Sequence, residues 1–339
     1  MASVCYQEQS VVLNEGETVL DGLLRAGFDI PHGCKSGVCQ SCMLAAEEGE
    51  LPSASQRALK STQQAKGYFL SCACVPQSDL SIRDENLLAK IPARVTRIEK
   101  LNADVLLLAL KAEGFEFQAG QYLTLWRDND NARCYSIAAA SDSDEIHLHI
   151  KVVEDGAVSA WLANTIQTGD QLDISGPHGD CVYQPERPDA NILLFGIGTG
   201  LAPLYGVLLD ALAKQHQGKI HLVCAASQPE GFYYHEPLLA LAAQHTNLKV
   251  DFICQHSKHT PKTGISEKII QADVYQWVKQ HYPSTKEYLV YLCGGVNFVQ
   301  KLRKICFLAG ANSRDIFADA FVPFNNTQSA TPKNTHAAA

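Results

Sequence analysis

Cys34, Cys39 and Cys42 stand in the run PHGCKSGVCQSC with a C-x4-C-x2-C spacing, and Cys72 follows after 29 intervening residues in YFLSCAC. This pattern restricts the chain more than any other feature. Each iron of a [2Fe–2S] cluster needs two thiolates in tetrahedral geometry. A short loop of this spacing supplies three of them and a distant strand end supplies the fourth. Backbone N–H groups of such a loop bond the sulfides. Gly33 and Gly37 permit the unusual backbone angles this wrapping needs, and Ser36 and Ser41 are small and add hydroxyls. The competing reading is a structural zinc site. Zinc sites usually pair two C-x2-C units or combine Cys with His, and one C-x4-C-x2-C with a single distant cysteine fits them poorly. On spacing alone, Cys74 competes with Cys72 for the fourth position.

The chain holds 12 cysteines. Its N-terminal run MASVCYQEQS has neither the basic start nor the apolar core of an export signal. Thiols rather than disulfides are therefore expected, in a cytoplasmic setting. Cys5, Cys74, Cys134, Cys181, Cys224, Cys254 and Cys306 read as small buried hydrophobes, and Cys293 is set apart below. With 339 residues, 46% apolar and 19% charged, the chain suffices for two or three domains with real cores. No apolar run approaches the roughly 18 residues that span a bilayer. A net charge of −8 excludes a general nucleic-acid or anionic-membrane surface, because both need a basic face.

Three blocks and a tail follow along the chain. Residues 1–88 carry the cysteine cluster and are acidic. Residues 91–188 carry short alternating strands. Residues 189–324 alternate apolar strands with helical stretches, and the polar tail 325–339 is expected to be disordered. In the first block, Val4–Tyr6 and Ser10–Leu13 read as strands. A helix begins at Thr18 with Val19, Leu20, Leu23 and Leu24 at helical spacing and stops at Gly27. Met43–Ala46 and Tyr68–Ser71 are further strands. In the second, Gln121–Trp126, Tyr135–Ala138 and Glu145–Val153 read as strands of an antiparallel sheet. The third has strands at Asn191–Phe195, His221–Ala225, Lys249–Cys254 and Tyr288–Cys293, with a helix from Pro203 to Lys214, the rhythm of a parallel sheet.

Two motifs sit in the second block. Arg133-Cys134-Tyr135-Ser136 follows the strand ending at Trp126, and Gly156-Ala157-Val158-Ser159 opens the helix-like SAWLAN. Alone, each is weak: the second is also an ordinary helix cap. In the third block, Phe195-Gly196-Ile197-Gly198-Thr199-Gly200-Leu201-Ala202-Pro203 lies between a strand and a helix, the context of a dinucleotide turn. The third glycine of the usual fingerprint is replaced by Pro203, which suits a first helical turn. Tyr291-Leu292-Cys293-Gly294-Gly295 ends a later strand.

In this order the blocks resemble the reductase components of multicomponent oxygenases that carry an N-terminal plant-type ferredoxin, within the ferredoxin–NAD(P) reductase superfamily. The resemblance covers about residues 3–324. It implies an N-terminal β-grasp [2Fe–2S] ferredoxin, an antiparallel β-barrel that binds FAD, and a C-terminal Rossmann-like NAD domain with a parallel sheet. In plant-type ferredoxins the fourth ligand follows an apolar strand in a pattern like L-x-C. Leu70-Ser71-Cys72 matches, so the implied ligand set is Cys34, Cys39, Cys42 and Cys72. Gln40 departs from the glycine many relatives carry there. Arg-x-Tyr-Ser binds FAD in this superfamily and Gly-x-x-Ser receives its pyrophosphate. That assigns Arg133 to the diphosphate, Tyr135 to the ring or ribityl chain, Ser136 to the reactive flavin edge and Gly156, Ala157, Val158 and Ser159 to phosphate, with His149, Ile150 and Lys151 alongside. Gly198, Thr199, Gly200, Pro203, Cys293 and Gly294 are implied to hold the nicotinamide nucleotide, with Cys293 positioning its ring. Phe321, in Asp319-Ala320-Phe321, would cover the flavin, and Asp319 would act as a proton or orientation partner.

The activity implied is an NADH:acceptor oxidoreductase. NADH reduces FAD, and FAD passes single electrons through the cluster to an oxygenase component of Rieske or diiron type. The same modules serve deoxysugar reductases and flavin reductases, and a cluster-bearing sensor without turnover is the reading from another class. A bound 2′-phosphate needs arginine or lysine after the second strand, whereas Ala226-Ser227-Gln228-Pro229-Glu230 carries none. NADH is therefore expected over NADPH. A monomer is implied, since electron carriers of this type form short-lived contacts.

Overall fold

A computed structural model describes residues 2–28, 30, 32, 35, 37, 42–57, 59, 61–83, 90–128, 131–255 and 268–321. They form three sheets. The first contains β1 (Ser3–Tyr6), β2 (Gln9–Val12), β3 (Met43–Glu48), β4 (Tyr68–Leu70) and β5 (Leu80–Arg83), in the order β2-β1-β5-β3-β4. Strand β1 runs parallel to β5, and the other pairings are antiparallel. Helix α1 (Val19–Arg25) lies across it, started by Thr18, whose hydroxyl accepts from the Asp21 N–H at 3.1 Å. Its Val19, Leu20 and Leu23 are fully buried in this sheet's core. Short helices α2 (Ser53–Gln56) and α3 (Ser61–Ala65) fill the connection to β4.

The second sheet is antiparallel: β6 (Ile91–Lys100), β7 (Val105–Lys111), β8 (Tyr122–Trp126), β9 (Ala132–Ser136), β10 (Ile146–Lys151) and β11 (Gln171–His178), in the order β10-β7-β6-β11-β8-β9. The Ile137–Leu148 bridge joins the end of β9 to β10 and closes the sheet into a barrel. Helix α4 (Ser159–Asn164) plugs it with Leu162. Strand β7 covers the apolar run 105–110, while sequence patterning gives no sign of β6 or β11. Strand β6 hides its alternation behind a bulge between Val95 and Arg97, and β11 ends in Gly-Pro-His. Strand β9 starts three residues before the expected Tyr135, because Arg133 and Cys134 pair with Leu125 and Thr124 of β8.

The third sheet is parallel throughout: β12 (Ile192–Ile197), β13 (Ile220–Ala226), β14 (Leu248–Cys254), β15 (Ile269–Gln271), β16 (Leu289–Gly295) and β17 (Ile316–Phe321), in the order β15-β14-β13-β12-β16-β17. Helices α5 (Leu201–Ala213), α6 (His235–Gln244), α7 (Val274–His281) and α8 (Val296–Leu308) cover its two faces. Helix α5 begins two residues before Pro203, directly out of the glycine turn.

Barrel and parallel sheet share a core. Val105, Ala138, Cys181 and Tyr183 pack with residues of β12, β13 and α5. Asp210 of α5 is buried and accepts from the Ser141 N–H at 2.8 Å and the Ser141 hydroxyl at 2.6 Å. Arg187 pairs with Asp315 at 2.7 Å. Gly206 brings α5 against the carbonyls of Ile137 and Ala139, where a Cβ would sit 3.0 Å from either oxygen. A continuous seam between barrel and parallel sheet results, and Ser136, Cys293, Asp319 and Phe321 converge on it.

Candidate functional site

At the N-terminal end, Cys34 and Cys39 lie outside the described residues, while Cys42 and Cys72 are described. The Ser71 N–H and hydroxyl both donate to the Cys42 carbonyl, at 3.0 and 2.8 Å. This clamps the start of β3 to the turn after β4 and brings the two sulfurs into hydrogen-bonding contact. That contact and burial push the Cys42 thiol well up from its ordinary value. Cys74, two residues past Cys72, is fully buried in the core, and burial pushes its thiol up to about 12. Cys42 and Cys72 are thus neighbours, and Cys74 is a core residue. Cys181, Cys224, Cys254, Cys293 and Cys306 are also buried, but Cys5 is exposed and Cys134 half-buried. The expectation of buried hydrophobes fails for those two. Cys5 alternates outward on β1, and Cys134 lies beside the Thr124 hydroxyl at 3.5 Å.

On the barrel, Arg133 and Tyr135 are half-buried on one face of β9, and Ser136 closes the strand at 8% exposure. The Ser136 hydroxyl donates to Asp319 Oδ2 of β17 at 3.1 Å, across 183 positions of sequence. Burial raises the Asp319 carboxyl to about 6, opposed by that hydrogen bond. Asp319 pairs in register with Cys293 of β16, and Phe321 with Gly295. Ser136, Cys293, Asp319 and Phe321 thus gather where β9 meets the C-terminal ends of β16 and β17, the end of a parallel sheet where ligands bind. Ser159 turns its hydroxyl back to accept from the Val153 N–H at 3.1 Å. Gly156 has no room for a side chain, since a Cβ would lie 2.9 Å from the Val153 carbonyl. The 153–159 loop is therefore a tight turn that presents backbone.

The strand expected beside the flavin divides its residues. Ile150 points into the barrel core and Lys151 is exposed. His149 points to the other domain: its Nδ1 is 3.3 Å from the Tyr233 hydroxyl, and its ring packs on Tyr205 and Tyr234 at centroid distances of 6.3 and 4.9 Å. Burial pushes its pKa down to about 3, so the imidazole is neutral. Tyr234 holds a left-handed φ of 61°, an uncommon conformation for a bulky residue.

The glycine turn and the Cys-Gly pair are built against each other. Gly198 takes φ +55°. At Gly200 a Cβ would fall on the Cys293 carbonyl, and at Gly294, with φ +136°, on the Ile197 side chain. Only glycine lets these two backbones meet. After β13, Ser227, Gln228 and Glu230 are exposed and carry no positive charge.

The three units match known families. A 2Fe-2S iron-sulfur cluster binding domain matches residues 3–77, an oxidoreductase FAD-binding domain residues 92–183 and an oxidoreductase NAD-binding domain residues 194–304. The ferredoxin–NAD(P)(+) reductase component of the naphthalene 1,2-dioxygenase/salicylate 5-hydroxylase systems of a Ralstonia species is 31% identical over 319 residues, 91% of this chain and 94% of that protein. The chain belongs to the family of oxygenase reductase components. Reductase component 1 of a Comamonas terephthalate 1,2-dioxygenase is 27% identical over 317 residues, 90% of this chain and 92% of its own. The fold is shared with an Amycolatopsis cytochrome P450 reductase, at TM-score 0.67 and 24% identity, over 96% of this chain and all of that one.

As a family member the reductase is an oxidoreductase whose redox groups are FAD, NAD(H) and a [2Fe–2S] cluster. No described helix is long and apolar enough to cross a membrane. Sequence reading missed several residues of the reductase seam. Arg127 donates to the Ala157 carbonyl at 2.8 Å, so it braces the 153–159 loop with a positive charge. Cys181 touches Cys293. Asn102 of the barrel donates to the Glu230 carbonyl at 3.3 Å, which ties the turn after β13 to the barrel. None of these belongs to a motif, and only the long-range contacts reveal them.

Proposed function

We propose that the protein carries electrons from NADH through FAD and the [2Fe–2S] cluster to a Rieske or diiron oxygenase component in the cytoplasm. The observation that carries this reading is the convergence of Ser136, Cys293 and Asp319 from three strands on one seam, in a chain that also holds a cluster domain. The working divisions are residues 1–88, 91–188 and 189–324. Arg133, Tyr135 and the backbone of Gly156, Ala157, Val158 and Ser159 would hold FAD, aided by the Arg127 charge. Gly198, Thr199, Gly200 and the start of α5 at Pro203 would hold the nucleotide diphosphate, as helix N-termini do. Cys34, Cys39, Cys42 and Cys72 would hold the cluster. Bound FAD supplies what the cluster cannot, a group that takes two electrons at once and releases them one at a time.

The chain's own work is positioning and exclusion of water. Ser136 offers a hydroxyl at the seam, Asp319 holds it in place, Phe321 covers it, and Gly200 and Gly294 let the nucleotide turn close on β16. The preference for NADH is supported by the absence of a base after β13 and by Glu230, which would repel a 2′-phosphate. The acidic first unit fits an acceptor with a basic patch around its own centre.

An anaerobic titration tests the reading: the purified reductase is mixed with NADH or NADPH and with candidate Rieske and diiron components. The expected result is acceptor reduction with NADH well ahead of NADPH, slowing as salt rises. A preparation that binds a cluster but no FAD, or whose visible spectrum NADH leaves unchanged, would refute it.

A further inference from the structure

Cys181 lies at the end of the barrel, past β11, and belongs to no motif. Its Sγ is 3.6 Å from the Sγ of Cys293, 112 positions away in the chain. Both side chains are buried, at 4% and 0% exposure. The segment that carries Cys181 is held from two sides. Gly120 of the barrel, at φ +93°, packs on the Cys181 carbonyl so closely that a Cβ there would collide with it. Tyr291 of β16 donates its hydroxyl to the neighbouring Val182 carbonyl at 3.2 Å. Tyr291 and Cys293 share one face of β16, so that face touches the segment twice. The Cys293 thiol is held well above its ordinary value by burial and by the adjacent Cys181. The Cys293 thiol is thus neutral, and one S–H of the pair donates to the other sulfur. Such a contact selects one rotamer of Cys293 from the few that β16 allows.

We propose that Cys181 is a positioning residue for hydride transfer: its sulfur, anchored on the flavin-side barrel, sets the Cys293 side chain at the nicotinamide side of the seam. The proposal rests on the reading of Cys293 as the residue beside the nicotinamide. It makes the Cys181–Cys293 contact the point where the barrel's position is transmitted to a side chain of the nucleotide unit. Cys181 acts through Cys293.

The test uses holoprotein and anaerobic stopped-flow. Flavin bleaching and the NADH–flavin charge-transfer band are followed in the wild type and in Cys181→Ala, Cys181→Ser, Cys293→Ala and the double alanine variant. Cys181→Ala is expected to slow bleaching about 3- to 10-fold and weaken the charge-transfer band, with half-saturating NADH changed less than about 2-fold, since small misplacements act on rate. Serine, close in size and able to donate, should recover the rate to within about 2-fold. In the Cys293→Ala background the Cys181→Ala loss should vanish, because the two residues act as one unit. A readout independent of turnover is native-state alkylation followed by mass spectrometry, in which Cys181→Ala should label faster at Cys293. Should the alanine variant fail to fold, Cys181→Val, which fills the space without a donor, carries the same expectation. Wild-type bleaching in Cys181→Ala, a serine variant as slow as the alanine one, or an undiminished loss in the Cys293→Ala background would overturn the proposal. If Cys293→Ala itself bleached at the wild-type rate, the reading of Cys293 would fall and the proposal with it. A slow Cys293→Ala beside a fast Cys181→Ala would remove the proposal alone.

Discussion

Asp319 shows how a single side chain acquires its chemistry from its surroundings. A carboxyl in water titrates near 3.8, and burial raises this one to about 6. Between those values the folded chain holds a proton that the unfolded chain has released. On this account stability rises as pH falls from about 6 toward 4, and the ionised carboxylate above 6 is a cost. The Ser136 hydroxyl meets a carboxylate above pH 6 and a carboxylic acid below it. NADH-driven flavin bleaching should therefore show an inflection near pH 6 that Asp319→Asn removes, and stopped-flow rates across pH 5 to 8 check it. A second residue-scale contrast separates Cys72 from Cys74. Cys74→Ser should keep the two-iron absorption and paramagnetic signature while losing about 1–3 kcal/mol of stability, because a hydroxyl replaces a thiol in an apolar core. Cys72→Ser should lose or alter the signature. Loss of the cluster in Cys74→Ser, with retention in Cys72→Ser, would reverse the assignment.

At the scale of elements, the glycine turn matters for what it touches. A glycine-rich stretch after a strand is read as flexible or phosphate-binding from its own residues. Here Gly200 is required because the Cys293 carbonyl occupies the place of its missing Cβ. Gly200→Ala should push β16 away from the turn. The expected outcome is retained flavin and cluster content, with NADH-driven flavin reduction down at least about 10-fold, since misplacement by a fraction of an ångström acts strongly on rate. Flavin content by absorbance and single-turnover kinetics measure the two halves of that statement. The strands that sequence missed belong to this scale too. Strand β6 alternates only until its bulge at residues 95–97, after which the inward register shifts, and a period-2 reading breaks there. The parallel strands β12, β13 and β16 were legible because both of their faces are covered, which leaves near-continuous apolar runs.

At the scale of the whole molecule, the seam depends on polar ties made across long sequence separations. Asp210 is the strongest: it receives both the N–H and the hydroxyl of Ser141 from the barrel and pairs with Lys214 on its own helix. Asp210→Ala leaves those donors without their buried acceptor. It should cost about 1–3 kcal/mol and raise the NADH concentration needed for half-maximal rate, as barrel and parallel sheet lose their register. Thermal unfolding and steady-state kinetics on the same preparation test both. Arg187 with Asp315, more exposed, should contribute little on substitution.

Local order determined what could be read without a structure. Cysteine spacing, strand–glycine–helix succession and apolar periodicity are properties of neighbouring residues, and they led to the cluster loop, the flavin and nucleotide motifs and the three-block architecture. The choice of Cys72 over Cys74 rests on a two-residue pattern; the folded chain buries Cys74 in the core and leaves Cys72 half-buried. What the folded chain alone decided lies between residues far apart: Ser136 on Asp319, Cys181 on Cys293, His149 among tyrosines of another unit, Ser141 on Asp210. No short-range signal records them, because each exists only where two sheets pack together and their buried polar atoms must find partners.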